Sequence, residues 1–473
     1  MVCLPRFGAI VALCALTTPS AYAQATPTCD CPTAFARTVQ TIQTDYVAFP
    51  LEVPPARRAE WDAHVAGLRP LAVGADRVAC SWVLRSLTSF FHDGHLLIID
   101  IPVDTTGRPA RHAALPRRNW SEGTVRATLA DRALLPTSLE GIWDGPGFRV
   151  AVLPDSTANK RLLAVVLRDD SARYEPGQVR GTFEQVNGEW RATVRDGDYL
   201  PRTSPVALSR GGALMRMPPM IWQRVWPSVP DAGLDASDPR RPTVRYLPSG
   251  TAVVSIVSFS PEYQKPLQQL IDRDWDRLSQ ARSVIVDLRG NEGGSSIVAA
   301  PLLPFVWTEA GIAPDTATPV VIASERNNEF WAHASWAPRG LTDRLRAQPP
   351  GTLVTFSNEP TPSPPRPSRL APPQQRVVIL TDRSTVSAAE QVVLWSRAYG
   401  RARVYGEPTG GAIDYQSTLL VRVACASMGQ VLSYPLIATS SRLPVGGFNH
   451  RGIIPDVLIP PDVRDVFAWI DQH

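Results

Sequence analysis

The chain has 473 residues, of which 44% are hydrophobic and 19% charged, and its formal net charge is +4. Disorder of the whole chain is excluded, because low hydrophobicity with high net charge is its signature. The small net charge without a dense basic block predicts no nucleic-acid partner. A polytopic membrane protein is also excluded, since no apolar run reaches the ~20 residues that a spanning helix needs.

The first 23 residues are predicted to be a secretory signal peptide. Arg6 supplies its positive charge, residues 7–16 form a short apolar stretch, and Ala21-Tyr22-Ala23 is a small-residue cleavage site. The mature chain would begin at Gln24 and keep no integral membrane segment. Together with the arginine-rich, lysine-poor composition, this predicts a protein exported to a bacterial periplasm or beyond the cell.

Four cysteines remain after the signal: Cys29, Cys31, Cys80 and Cys425. In an exported protein a disulfide is expected. Our first hypothesis pairs Cys29 or Cys31 with Cys80, because these residues lie in one N-terminal region. No metal or cofactor is expected, since the histidines are dispersed and no His-Glu-x-x-His motif is present.

Two regions precede the C-terminal half of the chain. Residues 24–100 are predicted to be a helical region, since Val83, Leu87 and Phe91 recur every four residues. Residues 101–242 are predicted to be a β-rich domain, a small antiparallel sheet or barrel, because strand-like apolar runs alternate with turn residues.

Residues 243–473 are predicted to form an α/β core, because continuous apolar strands alternate with helices. Its proline-rich segment, residues 348–374, is interpreted as an exposed loop. The strand candidates are 253–257, 283–288 and 377–380, and the helix candidates are 267–280 and 388–399.

Two segments of this core carry candidate chemistry. Ser387 lies at a strand-to-helix turn, where amide N–H groups and the helix N-terminus favour developing negative charge, so it is a candidate nucleophile. The alternative is that Ser387 or Ser384 only caps the helix. In residues 287–294, Gly293 and Gly294 allow close backbone approach and can present amides to an oxyanion, although an ordinary turn is the alternative.

Three further motifs complete the pattern: Asp93-Gly94-His95, residues 406–412 (Gly-Glu-Pro-Thr-Gly-Gly-Ala) and residues 452–456 (Gly-Ile-Ile-Pro-Asp). Taken in chain order, the five motifs resemble those of the C-terminal processing (tail-specific) serine peptidase family, which includes the tricorn core and the interphotoreceptor retinoid-binding repeats. The resemblance implies a crotonase-like α/β fold and a peptide or protein substrate. It also implies the nucleophile Ser387 and an oxyanion hole from the amide of Ala388 and a glycine at 293 or 294.

The resemblance leaves two solutions for the base. One branch places a lysine 25 residues after the serine, but that position is Ala412, and the two lysines, Lys160 and Lys265, lie outside the motifs. The tricorn-like branch matches a histidine to His95, which can take the serine proton and return it to the leaving amine.

The group that orients this histidine departs from the family pattern. Where tricorn-like members have a glutamate, this chain has Asn449, which can accept a hydrogen bond but supplies no charge. Asp93 and His450 are the alternative orienting groups. Asp287 is expected to be structural, and Arg289 to pair with a carboxylate.

The resulting prediction is an exported serine peptidase with Ser387, His95 and Asn449 at its site. Two alternatives stay open: a catalytically inert ligand- or peptide-binding protein on the same fold, and an esterase or amidase using the same serine. Residues 101–242 do not resemble a PDZ domain, which argues against recognition of substrate C-termini.

Overall fold

The computed structural model describes residues 30–101, 107–130, 137–229, 233–308, 318–357, 366–423 and 429–473. The predicted signal peptide and two of the cysteines, Cys29 and Cys425, lie outside the described residues. Within these ranges the α-helices are α1 (Cys31–Asp45), α2 (Phe49–Glu52), α3 (Arg58–Ala72), α4 (Arg77–Thr88), α5 (Arg108–Ala113), α6 (Glu122–Ala130), α7 (Gln264–Gln280), α8 (Leu303–Val306), α9 (Glu325–His333), α10 (Leu341–Arg346), α11 (Ala388–Tyr399) and α12 (Val466–Gln472).

Short 3-10 helices span Pro55–Arg57, Ser89–Phe91, Arg210–Gly212, Pro261–Tyr263 and Ala300–Leu302. The strands are β1 (Leu97–Asp100), β2 (Gly141–Gly145), β3 (Phe148–Pro154), β4 (Arg161–Asp169), β5 (Val179–Val186), β6 (Glu189–Arg195), β7 (Pro201–Pro205), β8 (Ala207–Ser209), β9 (Leu214–Met217), β10 (Met220–Trp226), β11 (Thr243–Tyr246), β12 (Thr251–Ser255), β13 (Ser283–Asp287), β14 (Val320–Ile322), β15 (Leu353–Thr355), β16 (Arg376–Thr381), β17 (Arg403–Gly406), β18 (Tyr415–Arg422), β19 (Gln430–Ala438) and β20 (Val457–Leu458).

The N-terminal region is helical as predicted, and a disulfide joins its first helix to its fourth. Cys31 in α1 is bonded to Cys80 in α4, which confirms one of the two hypothesised pairings. Helix α4 buries Val83, Leu84 and Leu87 on the face that turns inward. The spacing of these apolar residues therefore indicated both the helix and its buried side.

The helices pack on a five-stranded antiparallel sheet that also uses distant parts of the chain. Its order is β1-β19-β14-β15, and β18 pairs with the other edge of β19. Strand β1 follows the Asp93-Gly94-His95 motif and runs antiparallel to β19, with Leu97 opposite Ser433. This pairing connects the N-terminal region to the C-terminal part of the chain.

The middle of the chain is a nine-stranded antiparallel sheet, which agrees with the predicted β-rich region. The order is β7-β6-β5-β4-β3-β2-β10-β9-β8. Asn187 and Gly188, both with positive φ, form the turn between β5 and β6. Helices α5 and α6 precede the sheet and were not predicted; they are short and bury few side chains, so their sequences carry a weak helical pattern.

The third sheet has six strands in the order β11-β12-β13-β16-β17-β20. Strand β11 is antiparallel to β12, and the other neighbours are parallel. Apolar clusters cover both faces of this sheet, one of them formed with α7 and α11. Burial on both faces explains why the central strands are continuous apolar runs. The chain is therefore a mixed α/β protein.

The proline-rich segment differs from the prediction of a simple loop. It contains strand β15, which pairs antiparallel with β14 through Val354 opposite Val321. The apolar residues between the prolines therefore complete the edge of the five-stranded sheet.

Candidate active site

Two neighbouring parallel strands bring the serine turn and the glycine loop together. Strands β13 and β16 pair with Asp287 opposite Leu380, so the segments that follow them leave the same edge of the sheet. Gly293 shows the contact directly: a Cβ added to it would lie 2.6 Å from the Cβ of Ser387. The glycine therefore allows the loop to touch the serine turn.

Ser387 sits at the N-terminus of α11 in an unusual backbone conformation. Its φ is 57° and its ψ is −121°, values that a residue with a side chain rarely adopts. Its N–H donates to Oε2 of Glu390 at 2.9 Å, which holds the turn in place. Such strain at a half-buried serine is typical of a functional site.

His95 lies against this serine from the other side. Its Nε2 is 3.0 Å from Oγ of Ser387, and its Nδ1 is 2.7 Å from the main-chain oxygen of Tyr415. A carbonyl only accepts, so Nδ1 carries the proton and Nε2 is the acceptor for the serine hydroxyl. The arrangement can therefore take a proton from Ser387.

Asn449 does not orient His95 in the structure, in contrast to the prediction. The Nδ1 that it was expected to hold is already bonded to the Tyr415 carbonyl. Its own side-chain amide is buried and has no hydrogen-bond partner among the described residues. Only its main chain is tied down, by donation from its N–H to Oδ2 of Asp414 at 2.9 Å.

The two alternative orienting groups also avoid the imidazole. Oδ1 of Asp93 accepts the main-chain N–H of His95 at 2.9 Å. Nε2 of His450 lies 3.6 Å from a carboxylate oxygen of Glu52. The ring of His95 is thus oriented by a main-chain carbonyl. No sequence motif marks such a group, because every residue has one.

The main-chain N–H groups that could form an oxyanion hole differ in whether they already donate a hydrogen bond. The N–H of Gly293 donates to Oδ1 of Asn291 at 2.9 Å. The N–H groups of Gly294 and Ala388 donate to no acceptor in the described part of the chain. A Cβ at Gly294 would lie 2.3 Å from the carbonyl of Phe259, so only glycine fits there. Gly294 and Ala388 are therefore the available pair.

Glu390 connects the serine turn to the loop opposite it, a role that was not predicted from the sequence. Besides the N–H of Ser387, its carboxylate accepts the hydroxyl of Thr409 and the N–H groups of Gly411 and Ala412, the last two at 2.8 and 2.7 Å. Burial raises the pKa of Glu390, although these donors oppose the shift. The Ser-x-x-Glu spacing of a capping box was the available signal.

Two aspartates bind neighbouring groups: Asp287 is buried and structural, as predicted, whereas Asp456 is exposed. Asp287 is paired with Arg210 at 2.8 Å and with Arg289 at 2.9 Å. Burial alone would raise the pKa of Asp287, but the two guanidinium groups hold it below its usual value. Asp456 accepts the N–H of Val404 at 2.8 Å.

Arginine side chains connect the nine-stranded sheet to the same site. Arg216 in β9 donates to the carbonyl of Ser384 at 2.9 Å and to Glu292 at 3.2 Å. Arg240, which follows this sheet, also donates to Glu292, at 3.0 Å. The middle region thus contacts both loops that surround Ser387.

Neither a metal cluster nor a membrane span is found in the described ranges. No group of three or more His, Cys, Asp or Glu residues is arranged there to hold an ion. No helix within them has both the length and the apolar character needed to cross a bilayer.

The C-terminal part of the chain matches a known protein family. Residues 250–459 match the model of peptidase family S41, a segment that includes Ser387 but not His95. No curated protein sequence matches the chain. Among solved structures, the chain is similar to mature CPAF complexed with lactacystin, with 12% identity, a TM-score of 0.46 and coverage of 91% of this chain and 94% of that one.

Two other solved structures share the likeness. For the photosystem II D1 C-terminal processing protease the identity is 14%, the TM-score 0.33, and the coverage 92% of this chain and 94% of that one. For the tricorn protease the identity is 13%, the TM-score 0.37, and the coverage 91% of this chain and 34% of that one.

Proposed function

Because residues 250–459 belong to peptidase family S41, we propose that this serine-type peptidase cleaves peptide bonds with Ser387 as nucleophile and His95 as general base. The observation that carries the proposal is the 3.0 Å contact between Nε2 of His95 and Oγ of Ser387. The carbonyl of Tyr415 on Nδ1 supports it, since it fixes the tautomer that accepts a proton.

The chemistry proceeds in two halves. Oγ of Ser387 attacks the scissile carbonyl while His95 takes its proton, and the same imidazolium then gives the proton to the leaving amine. A water activated by His95 hydrolyses the acyl-enzyme and returns the proton to Ser387. The amides of Gly294 and Ala388 stabilise the oxyanion in both halves.

The six-stranded sheet with α7 and α11 is proposed to be a crotonase-like core. Five of its strands run parallel, and the glycine loop and the serine turn follow two adjacent ones. The limits of the three regions, 24–100, 101–242 and 243–473, are part of the same proposal.

Export is proposed from the signal peptide at residues 1–23. The Cys31–Cys80 disulfide supports it, because such bonds persist in oxidising compartments such as a periplasm or the extracellular medium. Expression in a bacterial host, followed by mass measurement of the exported protein, tests it: a mature chain beginning at Gln24 is expected.

Proteolysis of an unstructured protein mixture tests the activity, with products read by mass spectrometry. Ser387→Ala and His95→Ala are each expected to lose at least about 10⁴-fold in rate. Activity retained by His95→Ala would assign the base to another group. A fluorophosphonate probe that fails to label Ser387 would favour the inert binding protein, and cleavage of small esters without peptide cleavage would favour the esterase.

A further inference from the structure

We propose that Asp93 supplies the negative charge that stabilises His95 when it is protonated, while the Tyr415 carbonyl orients the ring. The two tasks that a triad carboxylate performs together would then be divided between two groups. Asp93 is a positioning residue in this proposal, since it acts through His95. The inference rests on the proposed Ser387–His95 chemistry.

The Asp93 carboxylate is held rigidly beside His95. Asp93 is buried, with only 6% of its surface exposed. Oδ1 accepts the main-chain N–H of His95 at 2.9 Å, and Oδ2 accepts the hydroxyl of Tyr46 at 2.6 Å. The N–H of Leu96 donates to the main-chain oxygen of Asp93 at 3.1 Å, which closes the turn around His95.

The charge of Asp93 is otherwise uncompensated in the described part of the chain. No arginine or lysine there forms an ion pair with it, and its two hydrogen-bond donors, the Tyr46 hydroxyl and the His95 N–H, are neutral. A buried charge without a counter-charge costs stability. The pKa of Asp93 is raised, mainly by burial, and attraction to His95 and the two donors oppose this shift. A protonated His95 is thus the cation that this site provides.

The orienting group by itself lacks the needed charge. The Tyr415 carbonyl is neutral, whereas proton transfer from Ser387 creates an imidazolium. An opposite charge within ~4–6 Å favours the charged form of a titrating group strongly in a buried site. Asp93 is the acidic group bonded to the backbone of His95 itself.

Besides His95, the titratable groups that act on Asp93 include Tyr46, which follows α1, and Asp414, which precedes β18. Tyr46 in turn interacts with Tyr415 at the start of β18 and with Glu52 at the end of α2, and the neighbouring His92 interacts with His450 and Glu52. The hydroxyl of Tyr415 donates to Oε1 of Glu52 at 2.8 Å. The N-terminal region thus fixes both groups: Tyr46 holds the charged residue, and Glu52 holds the residue that orients the ring.

The experiment compares Asp93→Asn with Asp414→Asn, a matched change at a second buried carboxylate that accepts main-chain N–H groups. The rate at which a fluorophosphonate probe labels Ser387 is measured against pH. For Asp93→Asn we expect the acidic limb to move to lower pH by about one unit and the maximal rate to fall about tenfold. Asp414→Asn should move the limb less.

A second measurement separates charge from structure. Asparagine keeps the acceptor for the His95 N–H and removes an uncompensated buried charge, so the melting temperature of Asp93→Asn should be equal to or above that of the wild type. Tyr46→Phe removes only a hydrogen bond that lowers the pKa of Asp93, so its acidic limb should move in the same direction as that of Asp93→Asn but by less. A lower melting temperature of Asp93→Asn with an unmoved limb would overturn the inference.

Failure of the inference is distinguishable from failure of the proposed function. If the wild type is labelled and Asp93→Asn keeps its limb and maximal rate, the Ser387–His95 site stands and the role of Asp93 is wrong. If the wild type is not labelled at any pH, the proposed function fails. NMR titration of the His95 ring, assigned with His95→Ala, still tests the electrostatic effect then: the same midpoint with and without Asp93→Asn would overturn it.

Discussion

Nδ1 of His95 lies 2.7 Å from the main-chain oxygen of Tyr415, a residue 320 positions further along the chain. The contact is made where β18 begins, beside the turn that leads into β1. A main-chain acceptor cannot be removed by substituting its side chain, so the orientation of His95 depends on the pairing of these strands with β19.

Asn449→Ala is expected to change the rate of peptide cleavage by less than about threefold, because the Asn449 side chain makes no hydrogen bond that the substitution would break. The measurement is kcat/KM on the substrate that the proteolysis assay identifies. His95→Ala, which removes the proposed base, provides the reference. A comparable loss in Asn449→Ala would show that Asn449 bonds His95 during the reaction.

Gly293→Ala is expected to lower the rate about 100-fold, because its Cβ would lie 2.6 Å from the Cβ of Ser387 and displace this serine. The matched control is Gly147→Ala. Both glycines have positive φ, 80° and 71°, but a Cβ at Gly147 would meet nothing within 4 Å. The control should lose ~1–2 kcal/mol of stability and keep its activity; equal activity losses in both variants would refute the steric explanation.

Glu390→Gln is expected to reduce kcat about tenfold or more, since the carboxylate that holds Ser387 to the loop of Thr409 becomes an amide that accepts fewer N–H donors. Labelling of Ser387 by a fluorophosphonate probe and peptide cleavage both report the loss. Glu329→Gln, on the exposed face of α9, is the control. Unchanged activity in Glu390→Gln would leave the carboxylate a purely structural cap.

The pH dependence of stability offers a separate check on Glu390. Burial raises the pKa of Glu390 above its usual 4.5, so the folded protein binds the proton more tightly than the unfolded chain. The contribution of Glu390 to the free energy of unfolding therefore falls as pH rises from 4.5 through the raised pKa. Denaturant unfolding should show Glu390→Gln gaining stability relative to the wild type across that interval; an unchanged or opposite difference would contradict the sign.

Removal of the Cys31–Cys80 disulfide is expected to lower the free energy of unfolding by about 4 kcal/mol, because the bond closes a loop of 49 residues. The double variant Cys31→Ser/Cys80→Ser, compared with the oxidised wild type by denaturant unfolding, measures it. Activity should fall with the same transition, since Tyr46 and Glu52 lie within this loop. A reducing agent should lower wild-type stability and leave the double variant unaffected.

The periodic spacing of apolar residues predicted those helices and strands whose burial depends on neighbouring residues in the sequence. Strand β13 and helix α11 were predicted within one residue or at the observed bounds, because a buried strand and an amphipathic helix each carry a period that neighbouring residues reveal. Strand β1 was missed, because its four residues become a strand only by pairing with β19, far away in the sequence. Helices α5 and α6 were missed because they bury few side chains.

Some residues of the candidate site were also predicted from the sequence, and others were recognised only in the structure. Ser387 and the glycines were found from short motifs, and His95 from the order of motifs that the resemblance supplied. Glu390 had a recognisable spacing but was assigned no role. The proposed assignment of Gly294 rather than Gly293 to the oxyanion hole required knowing that Asn291 already accepts the N–H of Gly293.

By itself the sequence determined the mixed α/β class, the serine at a strand-to-helix turn and the lack of a lysine where a dyad would need one, since each depends on residue type and short spacing. Tertiary structure alone decided which atoms meet: Nε2 of His95 with Oγ of Ser387, and Nδ1 with the carbonyl of Tyr415. The physical reason is that every residue carries the same main-chain carbonyl, so only the pairing of distant strands selects the one that orients the histidine.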